Sequence, residues 1–207
     1  MLLRPAFALL FSAVVCAAEN PKFSVSEDRL IYDTESIEDS DSAEIEIEDI
    51  DDLRDLLKAH PNITTLVLNS GGGSVWAAAN MKDVIIDHEL DTHIDGDCDS
   101  SCVTIFLAGA KRTMSRGSRL GFHQYFWSPG STERYYERHK DSEGWSSPFE
   151  FTSWVYQDTQ SEVYENLSYM MSRGVDAAFA VRTLRLPDGE MWRPYRPVLR
   201  AAGVLTD

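Results

Sequence analysis

Two consecutive strand-then-helix units near the middle of the chain constrain its fold more than any other feature. An apolar strand over 64–68 precedes the glycine run 71–73, and apolar residues at helical spacing then extend over 75–85. A second strand over 92–94 is followed by another apolar helix that opens at Cys102. This order implies βαβ crossovers and predicts an α/β fold with a largely parallel sheet, whose ligands sit at the carboxyl ends of strands.

Shorter patterns around these units extend the scheme. Residues 44–48 alternate glutamate and isoleucine with period two, which predicts a half-buried strand at a solvated sheet edge. Residues 49–58 predict a short amphipathic helix that closes before His60 and Pro61. Short strands are predicted over 112–114 and 119–123.

The C-terminal third combines an aperiodic stretch with helical patterns. Residues 124–147 are rich in Tyr, Trp, Gly and Ser, and predict a long loop that serves as a lid or binding loop. Helices are predicted over 149–173, as one helix or two, and over 175–183. A last helical stretch ends at Gly203.

The first eighteen residues have the pattern of a secretory signal peptide. Arg4 precedes an uncharged stretch over 5–18, and small residues end at Ala18, just before Glu19. The uncharged stretch is too short to span a bilayer as a helix. We expect cleavage after Ala18, no membrane insertion afterwards, a periplasmic or secreted protein, and one domain over 19–207.

The charge balance narrows the possible partners. The chain carries 34 acidic and 19 basic residues, which gives a formal net charge of −15. Phosphate backbones and anionic lipid headgroups repel a chain of this charge. We therefore expect neither a nucleic-acid partner nor binding to a membrane surface.

Cys98 and Cys102 are the two cysteines left once the leader, which contains Cys16, is removed. An even count in an oxidising compartment favours a disulfide, and the spacing permits one if Cys98 lies just outside a helix whose first turn carries Cys102. Two free structural thiols are the alternative. A metal site is disfavoured, because two thiols without neighbouring histidines fall short of a closed zinc site.

Three polar positions follow the predicted strands. The glycine run 71–73 either forms a tight turn or points backbone amides into a cleft, where they would stabilise a developing oxyanion. Ser100 and Ser101 stand where a strand ends and a helix begins, so their hydroxyls suit either helix capping or a reaction beside helix amides. His123 ends a strand-like segment, from which an imidazole can act as a general base.

Together these motifs resemble the proteolytic subunit family of the Clp proteases, within the crotonase-like superfold, and most closely its small exported bacterial relatives. The motifs are Asn69-Ser70-Gly71-Gly72-Gly73-Ser74, Gly96-x-Cys98-x-Ser100-Ser101-Cys102, Ala108-Gly109 and Gly121-Phe122-His123. The resemblance implies that Ser100 is the nucleophile and His123 the general base. It also implies that the backbone amides of Gly73 and Ser101 form the oxyanion hole.

The chain departs from the family pattern in a shorter loop between Gly109 and His123 and at two further places. Gly71 stands where a proline is usual before the two glycines. The position that matches the family's catalytic acid, counted back from Gly203, is Met191, and the acidic residues Asp188 and Glu190 flank it. Either of these is a candidate for the third catalytic residue; otherwise the site is a Ser-His dyad or is not catalytic.

The resemblance implies an exported serine hydrolase, and specifically a serine peptidase that works without an ATPase partner or a cofactor on a peptide or protein substrate. It also implies a homo-oligomer, built from trimers or rings. A non-catalytic binding or assembly protein on the same fold is the alternative. An acyl-CoA enzyme of the crotonase type is disfavoured, because an exported protein seldom meets coenzyme A.

Overall fold

The computed structural model describes residues 20–39, 43–124, 126–186 and 190–206. The predicted signal peptide over 1–18 and the candidate acid Asp188 lie outside the described residues. The elements in chain order are β1 Phe23–Ser26, β2 Arg29–Asp33, α1 Asp49–Ala59, β3 Thr65–Ser70, α2 Val75–Asp87, β4 Asp91–Asp99, α3 Cys102–Leu107, β5 Arg112–Met114, β6 Arg119–Gly121, α4 Pro129–Glu143, α5 Pro148–Ser172, α6 Ala177–Thr183 and α7 Arg196–Ala201.

Six strands form one sheet in the order β1-β2-β3-β4-β5, and β6 also pairs with β4. The β1–β2 pair is antiparallel, whereas every other pair is parallel. The first part of β4 pairs with β5 and its last part, over 97–99, pairs with β6. The predicted α/β fold with a largely parallel sheet and C-terminal helices is therefore confirmed, and β4 delivers residue 100 next to the end of β6.

The helices bury one face each on this sheet or on a neighbouring helix. In α1, Ile50, Leu53 and Leu57 are buried at helical spacing. Three aspartates in its first turn interact favourably with the positive end of the helix dipole. In α2, the Ser74 side chain accepts a hydrogen bond from the Ala77 amide and caps the helix directly after the glycine run. One continuous cluster of buried apolar side chains connects strands β2, β3 and β4 with these helices.

Two predicted elements differ in the structure. The alternating segment 44–48 is not a strand: only Ile45 pairs, through one parallel bridge to Gly73. The segment 124–147 is not a long loop, because most of it is α4. Ser128 caps this helix through a bond from the Ser131 amide, and Gly144 ends it in the left-handed region at φ 73°.

The sequence pattern does not predict helix α4, because this helix packs on α5 rather than on the main core. None of its residues is buried. Its contact with α5 consists of aromatic rings, and the Tyr135 ring stacks on that of Trp154 with centroids 5.8 Å apart. Among the described residues, no helix is both long enough and apolar enough to cross a membrane.

Candidate active site

Ser100 occupies the sharp turn between β4 and α3. Its φ is +56°, a left-handed conformation that is uncommon for a residue with a side chain. The Ser100 amide donates to the Gly121 carbonyl over 3.0 Å, and its own carbonyl accepts from the Val103 amide over 3.0 Å. These bonds fix both ends of the turn, at the carboxyl end of β4 where parallel sheets place their ligands.

The hydroxyl of Ser100 contacts the His123 imidazole. Ser100 Oγ lies 2.7 Å from His123 Nε2, which is hydrogen-bond distance. His123 follows β6, two residues beyond Gly121, so the β4–β6 pairing brings these two sequence-distant side chains together. The structure thus brings together two of the residues singled out in the sequence, a serine and a histidine in the geometry that nucleophile activation requires.

The other ring nitrogen of His123 has no partner within the described part of the chain. Nδ1 is buried and forms no hydrogen bond there. Glu190 is exposed and does not bond to the ring, so this candidate acid is not brought to the site. Asp188 lies outside the described residues.

The backbone register explains which residue stands at the acid's place. Phe122 and Trp192 form an antiparallel bridge and exchange both backbone hydrogen bonds. The next pair in this register is His123 with Met191, and directly opposite residues share one face of the pairing. Met191, which carries no carboxylate, is thus the residue at the position where the sequence predicts a catalytic acid.

The glycine loop, residues 71–73, lies against Ser100. A Cβ atom on Gly72 would come within 2.8 Å of Ser100 Cβ and 3.3 Å of Ser100 Oγ. Gly72 and Gly73 have φ of 109° and 143°, where side chains are strained. Glycine at 72 therefore keeps the space beside the hydroxyl open.

Side chains hold this loop at three points. Glu35 accepts from the Gly71 amide over 2.8 Å, and Ser70 Oγ accepts from the Gly72 amide over 3.2 Å. The buried Ser101 hydroxyl donates to the Gly73 carbonyl over 3.1 Å. The Ser101 side chain is thus a functional feature that the sequence did not reveal: it ties the glycine loop to the start of α3.

The amides of Gly73 and Ser101 are the proposed oxyanion donors. Within the described ranges, neither amide forms a backbone or side-chain hydrogen bond. Ser101 is the N-cap residue of α3, but its hydroxyl forms no capping hydrogen bond with the helix. The Ser100 hydroxyl bonds to His123 and the Ser101 hydroxyl to the Gly73 carbonyl, so neither serine side chain caps the helix.

A disulfide brackets Ser100. Cys98 and Cys102 are bonded, with Cα atoms 5.3 Å apart, and both side chains are fully buried. Cys98 lies on β4, and Cys102 is the first residue of α3. The predicted disulfide is confirmed, and the free-thiol alternative is wrong. The described residues contain no group of His, Cys, Asp and Glu that could hold a metal ion.

Two arginines pair with Asp97 and Asp99, the aspartates that precede the turn at Ser100. The hydrogen bond from Arg119 lowers the pKa of Asp97. Arg193 forms a two-point ion pair with Asp99, which is almost fully buried and directly precedes Ser100. The carboxylates closest in sequence to Ser100 are thus engaged with arginines and are not partners of His123.

The fold resembles that of a solved ClpP structure. A point mutant of ClpP1 from Listeria monocytogenes superimposes with a TM-score of 0.55 at 18% sequence identity, over 78% of this chain and 84% of that chain. The fold is therefore ClpP-like. No family model and no curated protein matches the sequence.

Proposed function

We propose that this chain is an exported serine hydrolase, a Clp-like serine peptidase that works without an ATPase partner, with Ser100 as nucleophile and His123 as general base. The observation that carries the proposal is the 2.7 Å contact between Ser100 Oγ and His123 Nε2. The glycine loop beside that hydroxyl and the ClpP-like fold agree with it. No cofactor takes part in the proposed reaction.

In the proposed reaction, Ser100 Oγ bonds to the carbonyl carbon of the scissile bond while its proton passes to His123 Nε2. The imidazolium then gives that proton to the leaving amine as the C–N bond breaks, which leaves an acyl group on Ser100. Water, deprotonated by the same nitrogen, attacks the acyl-enzyme and releases the acid. Nε2 can accept a proton only in the tautomer that carries hydrogen on Nδ1.

Backbone amides supply the electrostatic part of the proposal. The negative charge that develops on the carbonyl oxygen would bind the amides of Gly73, in the glycine loop, and of Ser101, at the start of α3. Removing a single donor of this kind costs roughly 2.7–4 kcal/mol in known hydrolases. The bond from Ser101 Oγ to the Gly73 carbonyl holds the two donors in one arrangement.

The described residues supply two members of the proposed site, Ser100 and His123. Among the described residues, none hydrogen-bonds to His123 Nδ1, and continuation of the Phe122–Trp192 register sets Met191 opposite His123. In a triad, a carboxylate on Nδ1 orients the imidazole and stabilises the imidazolium that forms during the reaction. Asp188 stays a candidate for the third residue.

A fluorophosphonate probe tests the proposal, because it forms a covalent bond with an activated serine. We expect labelling of the wild type at Ser100, located by peptide mass, and none in Ser100→Ala. Ser101→Ala is the matched control: it keeps the backbone amide but frees the Gly73 carbonyl, so labelling should slow without disappearing. Equal labelling of the wild type and Ser100→Ala would exclude the hydrolase.

The export proposal rests on the leader sequence, and the disulfide agrees with an oxidising compartment. We propose cleavage after Ala18 and a periplasmic or secreted location. Intact mass of the protein from its native compartment tests this, since a retained Met1 would contradict cleavage.

Self-association is proposed from the surface of α5. Phe149, Tyr156 and Tyr164 are 82%, 71% and 73% exposed, and with Met171 they lie along one side of this 25-residue helix. An exposed apolar stripe of this length is typical of an interface. Sedimentation should show an oligomer of the wild type and a smaller species for Tyr156→Glu.

A non-catalytic binding protein is the second candidate, and it is favoured by His123 Nδ1, which is buried without a hydrogen-bond partner among the residues that the structure describes. Such a protein would keep the fold and the apposition of Ser100 and His123 but lack the orientation that turnover needs. The probe separates the two candidates, because a binding protein would show no labelling that depends on Ser100.

A further inference from the structure

The stretch of chain just before α1 runs beside the glycine loop and bonds to the residues on both sides of Gly73. The Ile45 amide donates to the Gly72 carbonyl over 2.8 Å, and the Ile45 carbonyl accepts from the Ser74 amide over 2.9 Å. In a trans peptide group, the carbonyl of one residue and the amide of the next point in opposite directions. The amide and the carbonyl of Gly73 therefore both point away from Ile45, and this carbonyl meets the Ser101 hydroxyl.

A buried ammonium group holds the same stretch of chain from its other side. Lys22 is 5% exposed, and its Nζ donates to the Glu44 carbonyl over 2.8 Å. The ammonium also bonds to Glu46 Oε2 over 2.6 Å and to the fully buried Asp49 carboxylate over 3.2 Å. An ammonium group has three hydrogens to donate, so Lys22 directs its donors at residues 44–49.

Two peptide groups connect Lys22 to the Gly73 amide. The Glu44 carbonyl, which accepts from Lys22, shares its peptide group with the Ile45 amide. The Gly72 carbonyl, which accepts from Ile45, shares its peptide group with the Gly73 amide. The series therefore runs in one direction, from the ammonium to the Gly73 amide, and hydrogen bonds in such a series polarise one another.

We propose that Lys22 is a positioning residue for the oxyanion hole and acts through these two peptide groups to fix the direction of the Gly73 amide. The inference rests on the proposed hydrolase function. Glycine has more backbone freedom than any other residue, so the peptide group between Gly72 and Gly73 needs contacts from outside the loop to keep one orientation. Polarisation along the series also strengthens the Gly73 amide as a donor.

The test removes the ammonium without leaving a buried carboxylate unpaired. Lys22→Met combined with Asp49→Asn replaces the ion pair by two neutral side chains. The phosphonyl oxygen of the fluorophosphonate takes the place of the carbonyl oxygen, so the labelling rate at Ser100 reports on the Gly73 amide. We expect the folded double variant to label about 3- to 10-fold more slowly than the wild type, which is the factor that the net contribution of one hydrogen bond corresponds to.

Tyr32→Phe is the matched control in the same buried cluster. It removes a donor to Asp49 Oδ2 but leaves the bond from Lys22 to the Glu44 carbonyl in place. This variant should lose stability and still label at a rate close to that of the wild type. Equal labelling rates for the double variant and Tyr32→Phe would contradict the proposal, because the cluster would then act on the fold alone.

Labelling of the wild type separates the two ways of failing. If the wild type labels at Ser100 and the folded double variant labels equally fast, the assignment of Lys22 is wrong and the hydrolase stands. If the wild type does not label at Ser100, the hydrolase and the assignment of Lys22 fail together.

NMR spectroscopy of the wild type tests the series without the probe, and it decides if circular dichroism shows that the double variant does not fold. Scalar coupling across the hydrogen bonds should connect Lys22 Nζ with the Glu44 carbonyl carbon. It should also connect the Ile45 amide nitrogen with the Gly72 carbonyl carbon. The absence of either coupling would overturn the proposal.

Discussion

Asp99 and Arg193 form an ion pair that passes over Gly121. Asp99 stands opposite Gly121 in the β4–β6 pairing, and the Phe122–Trp192 bridge places Arg193 opposite Gly121 on its other side. Arg193 Nε lies 3.2 Å from Asp99 Oδ1, and its Nη2 bonds to the second oxygen. The pair therefore joins the residue before Ser100 to the segment that carries Met191, across a position that has no side chain.

Gly121→Ala should break this arrangement. The new Cβ would lie 2.0 Å from Asp99 Oδ1 and 2.7 Å from Met191 Sδ, so both side chains must move. Overpacking of this kind costs about 1–3 kcal/mol of the free energy of unfolding. Thermal unfolding should show it, at about 2–4 °C per kcal/mol for a chain of this size.

Gly130→Ala is the matched control for that variant. Gly130 lies in α4, and the nearest atom to its new Cβ is the flexible end of Arg134, 3.3 Å away. Its melting temperature should stay close to the wild-type value. Equal melting temperatures for the two variants would show that the space at Gly121 is not constrained.

The sequence predicts the parts of the fold and site that local patterns encode. The period of apolar residues locates α1, α2 and β3, because each buries one face on the same core. The spacing of Cys98 and Cys102 predicts their bond, since both lie in one turn. The approach of Ser100 to His123 follows from the order of the strands and the resemblance.

Contacts between distant segments could not be predicted in this way. Arg193 is 94 positions from Asp99 along the chain, and the local sequence around each residue predicts only an exposed charged side chain. Helix α4 buries none of its residues, so no apolar period marks it, although Ser128, Pro129 and Gly144 carry its start and stop signals. Segment 44–48 has the period of a strand, but only Ile45 finds a pairing partner.

The Tyr32 hydroxyl should make the protein sensitive to alkaline pH. Tyr32 is fully buried and donates to Asp49 Oδ2 over 2.5 Å. Burial raises its pKa far above the ordinary value near 10, and the negative charge of Asp49 raises it further. Above about pH 10 the unfolded chain loses this proton while the folded chain keeps it, so the stability contributed below pH 10 is lost as the pH rises.

We therefore expect Tyr32→Phe to reduce the fall in the free energy of unfolding between pH 8 and pH 11, measured by urea unfolding. At pH 8 the variant should be less stable by about 1–3 kcal/mol, because buried Asp49 loses a donor. Tyr195→Phe, at a residue that is 85% exposed, should follow the wild type at every pH. A Tyr32→Phe curve parallel to that of the wild type would count against the assignment.

The Cys98–Cys102 disulfide should matter for reactivity as well as for stability. The five-residue loop that it closes contains Ser100 in a left-handed conformation, which costs roughly 1–2 kcal/mol. Closing so small a loop constrains the unfolded chain by about 2 kcal/mol. Without the bond, the turn can relax to an ordinary conformation and withdraw the hydroxyl from His123.

A double variant, Cys98→Ala with Cys102→Ala, should label with the fluorophosphonate about 5- to 30-fold more slowly, which corresponds to 1–2 kcal/mol. Wild type reduced by a dithiol under mild denaturant and then returned to buffer should match it, and reoxidation should restore the rate. A double variant that is folded and labels at the wild-type rate would show that the turn holds Ser100 without the bond.

Met191→Asp should convert the dyad into a triad. Continuation of the Phe122–Trp192 register by one pair sets residue 191 opposite His123, whose Nδ1 is buried and forms no hydrogen bond in the described part of the chain. A carboxylate there would accept the Nδ1 hydrogen, fix the tautomer in which Nε2 is the base, and stabilise the imidazolium that forms. Arg193, two residues on, offsets part of the repulsion from Asp99.

We expect the fluorophosphonate labelling rate of Met191→Asp to rise at least about tenfold above that of the wild type. Met191→Asn has nearly the same shape without the charge and should not share the gain, because the imidazolium is stabilised by the negative charge. The increase should vanish as the pH falls below the pKa of the new carboxyl, which distinguishes a charge effect from a change in packing. A Met191→Asp rate no higher than that of Met191→Asn would mean that the imidazole is already held in its productive orientation, and that position 191 does not orient the base.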